Sequence, residues 1–172
     1  MKKILLLLTA VILLQSCTND DDTATDNLKS TIQIDGEDFK LSEATSFFYN
    51  SNDPELYSRR IHLIDNNPVD SLKNYISLQL IYPKSRPSAT GRYTNHMLEE
   101  GQTQLVGHGL LVFGTGGTLM FSGAAINVTD YGNDKFKIEF ENMNLVAIPQ
   151  NGGNFSIPIT GTFEGKLTTV NE

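Results

Sequence analysis

From Phe155 to Leu167 the chain places an apolar residue or a glycine at every second position. Phe155, Ile157, Ile159, Gly161, Phe163, Gly165 and Leu167 share one parity, and Thr160, Thr162, Glu164 and Lys166 take the other. A pleated strand sends alternate side chains to opposite faces, so this segment predicts one long strand with a core face and a wet face. It bends at Pro158 and at its glycines, because an inward-facing glycine in a strand marks a bend, a bulge or the close approach of another backbone.

The same texture recurs upstream. Phe136, Ile138 and Phe140 alternate with Lys137, Glu139 and Glu141, a half-buried strand. It pairs with Ala124–Thr129 across a loop at Asp130-Tyr131-Gly132-Asn133-Asp134. Tyr75 to Tyr82 puts Ile76, Leu78, Leu80 and Tyr82 on one face, and Pro83 stops it. Arg60 to Ile64 is a shorter run, closed by Asp65-Asn66-Asn67-Pro68. Asp35-Gly36 separates Thr31–Ile34 from Phe39 and Leu41, a strong hairpin signal. Leu105 to Phe113 and Thr118 to Thr129 read as β-leaning runs around the turn Gly114-Thr115-Gly116-Gly117, and Asn95 to Glu100 as a helical turn. No segment after residue 16 sustains a 3.6-residue period, and no repeat occurs at solenoid or propeller spacing. Short strands with turn signals every 8–12 residues predict an all-β fold, an antiparallel β-sandwich of one domain over residues 30–172. The alternative is a lipocalin-like β-barrel.

The front of the chain has a different texture. Met1-Lys2-Lys3 precede an apolar run from Ile4 to Leu14, and Gln15-Ser16 lead to Cys17, the single cysteine. A charged segment, a short apolar segment and a small residue before the cut are the layout of a secretory signal. The apolar run is about half the roughly 20 residues that a bilayer-spanning helix needs. Leu14-Gln15-Ser16-Cys17 looks like a bacterial lipobox, with Gln15 in place of the usual small or β-branched residue. The organisation expected is a signal peptide over 1–16, a lipidated acidic tether over 17–29, and the β domain. Acyl chains on Cys17, palmitate among them, would hold the protein in the membrane at about 0.8 kcal/mol per buried methylene. Without Lys2 and Lys3 the 13 basic residues become 11 against 20 acidic ones, so the formal charge moves from −7 to −9. An acidic excess speaks against a nucleic-acid partner and against docking of the protein surface on anionic lipid.

Three pieces carry a resemblance. They are the lipobox followed by Thr18-Asn19-Asp20-Asp21-Asp22, the opening Ile34-Asp35-Gly36-Glu37-Asp38-Phe39, and the closing Ile159-Thr160-Gly161-Thr162-Phe163-Glu164-Gly165-Lys166-Leu167. In these the chain resembles the small surface lipoproteins of the Bacteroidota, which join a short acidic tether to one β-sandwich. The resemblance implies an outer-membrane protein anchored through Cys17. It also implies that Asp20, Asp21 and Asp22 act as the signal for export to the cell surface; the alternative is a periplasm-facing protein with a solvated tether. It brings no catalytic residues.

Motifs for chemistry are sparse. His62, His96 and His108 lie in separate segments with no zinc-ligand spacing. Glu99-Glu100 are adjacent, and neighbouring residues on a chain point apart, whereas glycoside hydrolysis needs two carboxyls facing across a cleft. Asp65-Asn66-Asn67 with Asp70, and Asp130 with Asn133 and Asp134, are rich enough in oxygen for calcium, but they are also standard turn formers. Gly114–Gly117 lacks the lysine and helix of a phosphate loop. Phe47-Phe48-Tyr49 are consecutive, so at least one faces out of a strand, and Tyr57, Tyr82, Tyr93 and Tyr131 fall near loops. Exposed aromatics on a sandwich serve as sugar- or protein-binding platforms. The function expected is non-enzymatic: binding of an extracellular ligand or an outer-membrane protein partner, with no cofactor and no metal. The rival readings are an assembly lipoprotein and a small glycan or peptide hydrolase.

Overall fold

The computed structural model describes residues 28–49, 53–66, 73–94, 106–112, 118–123, 125–147 and 156–170. Cys17, Asp20, Asp21, Asp22, Asp70, His96, Glu99, Glu100, Phe155, the 95–100 segment and the 114–117 turn lie outside the described residues. Among the described residues thirteen strands follow one another: β1 (Lys29–Ser30), β2 (Gln33–Ile34), β3 (Glu37–Asp38), β4 (Leu41–Tyr49), β5 (Leu56–Asn66), β6 (Lys73–Pro83), β7 (Gly91–Thr94), β8 (Val106–Val112), β9 (Thr118–Gly123), β10 (Ala125–Gly132), β11 (Lys135–Ala147), β12 (Ser156–Lys166) and β13 (Thr168–Thr169).

They form an antiparallel-rich β-sandwich that does not close into a barrel. The first sheet is β13-β4-β5-β6-β8. The second is β7-β10-β11-β12, with β1 and the β2–β3 hairpin added along β12. The sheets touch through a single parallel bridge, Thr94 to Val106, and through β9, which pairs with both β8 and β11. After Lys166 the chain passes Leu167 and crosses to the first sheet, where β13 runs parallel to β4.

Parity decides the interior. Ile61, Leu63, Ile76, Leu78 and Leu80 from the first sheet meet Phe136, Ile138, Leu145, Ile159 and Phe163 from the second, all at 0% exposure. The alternation expected of the last strand holds from Ile157 to Leu167. Gly161 shows which of the three meanings of an inward glycine applies. Its φ is +102°, and a Cβ there would lie 2.1 Å from the Thr31 carbonyl oxygen and 2.8 Å from Ile32 Cα. Another backbone passes over this residue, tied on by Thr31 N–H donating to Thr162 O at 2.8 Å.

The opening hairpin is a two-residue turn with Asp35 at φ 54° and Gly36 at φ 81°, both positive, as a type I′ turn requires. The β10–β11 connection is shorter than the five-residue loop expected. The strands extend to Gly132 and Lys135 and leave only Asn133 (φ 50°) and Asp134 (φ 60°) as the turn. Asp130 makes this geometry. Its Oδ1 accepts from Gly132 N–H at 2.9 Å, and a register shift falls between the two residues. The Thr118–Thr129 run is likewise two strands. β9 pairs with the far half of β11 and β10 with the near half.

Among the described residues one charged side chain is buried between the sheets. Arg59 is 5% exposed. Its Nη2 donates to Ser46 Oγ at 2.9 Å and to Asp134 Oδ1 at 2.6 Å. Its guanidinium sits 4.7 Å from the Phe48 ring centre and 4.5 Å from that of Phe136. It therefore clamps the turn of the second sheet to the first.

Candidate functional site

The outer face of the first sheet carries the richest constellation. With Ala44, Ile61, Leu63, Ile76 and Leu78 buried inside, the pleat turns Phe47 and Tyr49 of β4, Arg60 and His62 of β5, and Tyr75 and Gln79 of β6 outward. All six are half-buried. The register aligns Thr45, His62 and Ser77 in one row and Phe47, Arg60 and Gln79 in the next.

Phe47 and Tyr75 are thus the diagonal neighbours of His62 on its two sides, within reach of large rings. The Phe47 and His62 ring centres are 5.1 Å apart, and those of His62 and Tyr75 5.2 Å. An oblique stripe of three rings crosses three strands. Arg60 lies over Tyr49 at 4.5 Å and extends the stripe. Gln79 donates to Ser58 Oγ at 2.9 Å, which fixes its amide on the same face. Stacking surface and hydrogen-bonding groups therefore lie side by side on one sheet face.

Burial lowers the His62 pKa below its ordinary 6.5, and the nearby Arg60 charge lowers it further. The ring is neutral at physiological pH. The unfolded chain takes up this proton first as the pH falls, so the His62 contribution to stability is complete above 6.5. It is lost as the pH falls from 6.5 through the lowered folded value. Urea unfolding from pH 7.5 to 5 should show declining stability, with a shallower decline in His62→Gln; an equal decline in both would contradict this placement.

The other sequence candidates are dispersed. His108 lies in β8 with its backbone opposite Gln79. Asp65 is the penultimate residue of β5, at the opposite end of that strand from Arg59. Its Oδ1 is buried with no partner among the described residues, and burial pushes its carboxyl up against the pull of Lys40. Asp130 and Asp134 do not face a common point. Asp130 accepts from the Ala89 and Gly132 amides, and Asp134 from Arg59. Among the described residues no three His, Cys, Asp or Glu side chains gather around one point.

The aromatics sort differently from expectation. Tyr82 and Tyr93 are buried at 5% and 1%, and Tyr93 O–H donates to Ala89 O at 2.6 Å. In Phe47-Phe48-Tyr49 the most exposed ring is Phe48, at 51%, although its parity is the inward one. It sits where the sandwich opens, next to Tyr57 at a ring separation of 6.4 Å.

No protein-family model matches this chain, and neither a curated protein nor a solved structure matches it. The geometry of the sheet face is therefore the basis for a functional reading.

Proposed function

We propose that this chain is an outer-membrane lipoprotein, anchored by acyl chains on Cys17 and sent to the cell surface by Asp20, Asp21 and Asp22, whose β-sandwich is a non-enzymatic module that binds extended carbohydrate. The observation that supports the ligand class is the stripe Phe47–His62–Tyr75 beside Arg60 and Gln79. Aromatic faces take the C–H face of a sugar ring, and neighbouring donors take its hydroxyls. A half-buried row on a sheet face offers contact area at little entropic cost, because its rings are already held by their neighbours.

Electrophoresis of the full chain through gels containing xylan, mannan, starch or a β-glucan tests the ligand. At least one polysaccharide should retard the protein. Phe47→Thr and Tyr75→Thr, which keep β-propensity, should each weaken retention by about tenfold, the equivalent of roughly 1.4 kcal/mol. Free migration in every gel, or equal retention of both variants, would defeat the carbohydrate reading.

The anchor has its own test. Cys17→Ser should abolish incorporation of a fatty-acid probe and release the protein from membranes. Replacing Asp20, Asp21 and Asp22 by Ala should leave it membrane-bound but protected from protease added to whole cells. Persistent labelling of Cys17→Ser would refute the anchor, and unchanged protease sensitivity of the triple variant would refute the export role.

A further inference from the structure

The tether leaves the domain at one end of the sandwich, and among the described residues the exposed apolar side chains gather at that same end. β1 begins with Lys29 opposite Glu164, and β12 ends beside it at Lys166, opposite Lys135. The Asn133-Asp134 turn, the end of β4, the start of β5 and the Pro83-Lys84 end of β6 share this end. Leu167 N–H donates to Asp134 O, Val170 N–H to Ser46 O and Lys84 N–H to Glu55 O. Among the described residues the exposed large hydrophobics are Phe48, Tyr57, Met120, Tyr131 and Val170. All but Met120 belong to this end. Met120 pairs with Val146, eleven residues along β11 from Lys135, which is roughly 35 Å away.

All three exposed rings carry a cation, Phe48 that of the buried Arg59 and the two tyrosines that of a lysine. Lys84 Nζ lies 5.8 Å from the Tyr57 ring centre and Lys135 Nζ 5.5 Å from that of Tyr131. Lys29, Lys135 and Lys166 line a shallow cavity of about 290 Å³ with Asn133 and Glu164. The overall acidity hides this arrangement. Lys29, Arg59, Lys84, Arg86, Lys135 and Lys166 stand at the tether end against Asp53, Glu55, Asp130, Asp134 and Glu164, while Asp35, Glu37, Asp38, Glu43 and Asp65 collect toward the other end with Lys40. The domain is an electrical dipole whose less acidic pole faces its own tether.

We propose that this end rests on the lipid–water interface of the membrane that holds the anchor, with Phe48, Tyr57 and Tyr131 seated among the headgroups and the lysines over the phosphates. The inference rests on the Cys17 anchor. Eleven peptide steps separate Cys17 from Leu28, so the tether spans at most roughly 40 Å and holds this end within that distance of the bilayer. Tyr57 and Tyr131, with an apolar body and a polar tip, and lysines with apolar stems are side chains suited to that boundary, and Phe48 adds apolar area. The orientation leaves the outer face of the first sheet along the side of the domain, open to a ligand.

The chain has no tryptophan, so a single introduced indole reports its own position. Tyr57→Trp, Tyr131→Trp and Met120→Trp are prepared as full chains. Each is mixed with vesicles of phosphatidylethanolamine and phosphatidylglycerol whose acyl chains are brominated. Mass measurement of the Cys17 peptide shows in the same samples whether the anchor is present. The indoles at positions 57 and 131 should be quenched and blue-shifted, several-fold more than the one at 120. Equal quenching at all three positions, or none at 57 and 131 in acylated, vesicle-bound protein, would overturn the docking. A shift at 57 and 131 that follows protein concentration without vesicles would overturn it in favour of a second copy of the chain. Selective quenching without acylation would keep the docking and refute the anchor.

Discussion

Phe163→Ala is expected to lower the unfolding free energy by about 3–5 kcal/mol, the range for emptying a fully buried phenylalanine site, while Thr162→Ala lowers it by less than about 1 kcal/mol. Phe163 is 0% exposed, opposite Ile138 in β11 and Ser30 in β1. Its removal leaves a cavity under three strands that cannot collapse independently. Thr162 has the opposite parity, and its backbone bonds to Thr31 survive the substitution. Urea unfolding followed by far-UV circular dichroism measures both. Equal losses would mean that the strand is turned over and that Thr162 faces the core.

Gly161→Ala is expected to be worse than its single added methyl suggests, at about 4 kcal/mol or more. Two penalties coincide. An L side chain at φ +102° is strained, which costs on the order of 1–3 kcal/mol. The added Cβ also meets the backbone of Thr31 and Ile32, and backbone within a sheet cannot step aside as a side-chain tip can. Gly132→Ala separates the two effects. Gly132 has φ +79° with nothing within 4 Å of the added atom, so it should show the strain alone, roughly 1–2 kcal/mol. Similar losses at the two glycines would mean that β12 does not lie under the Thr31 crossing.

These two positions also show what the sequence could convey. β12 and the Tyr75–Tyr82 part of β6 were legible because every inward position there is apolar or glycine, and a strand one residue out of register would bury its polar row. That Gly161 has another backbone above it was legible only as one of three meanings. Choosing among them needs the path of residues 31–32, which is a tertiary fact. Arg59 was missed because the run legible from Arg60 to Ile64 has no clear start. Once β5 begins at Leu56, the parity of Ile61 and Leu63 carries back to Arg59 and Tyr57 and sends a charge between the sheets. The Asp130–Asp134 segment reads as a loop because four of its five residues are turn formers; the hydrogen bond from Gly132 N–H to the Asp130 carboxylate lets the ladder continue.

The candidate site was half visible. His62 on a wet face and an outward ring from Phe47-Phe48-Tyr49 both follow from alternation. That Tyr75 completes the stripe depends on the β5–β6 register, which alternation within one strand cannot supply. The burial of Tyr82 and Tyr93 shows the reverse limit, since nearness to a loop in sequence says little about depth. Net charge has a similar limit. It sums over the surface, whereas docking depends on where along the sandwich each charge falls.

The central claim is a binding face held outside the cell. Binding of a fluorescent polysaccharide, chosen from those that retard the protein in gels, to intact cells bearing the full chain tests it most directly. Cells carrying the natural sequence should bind the polymer. Cells carrying Phe47→Thr with Tyr75→Thr should lose that binding while an antibody against the domain still detects the protein on unbroken cells. Undiminished polymer binding by the double variant, or antibody detection only after lysis, would contradict the account.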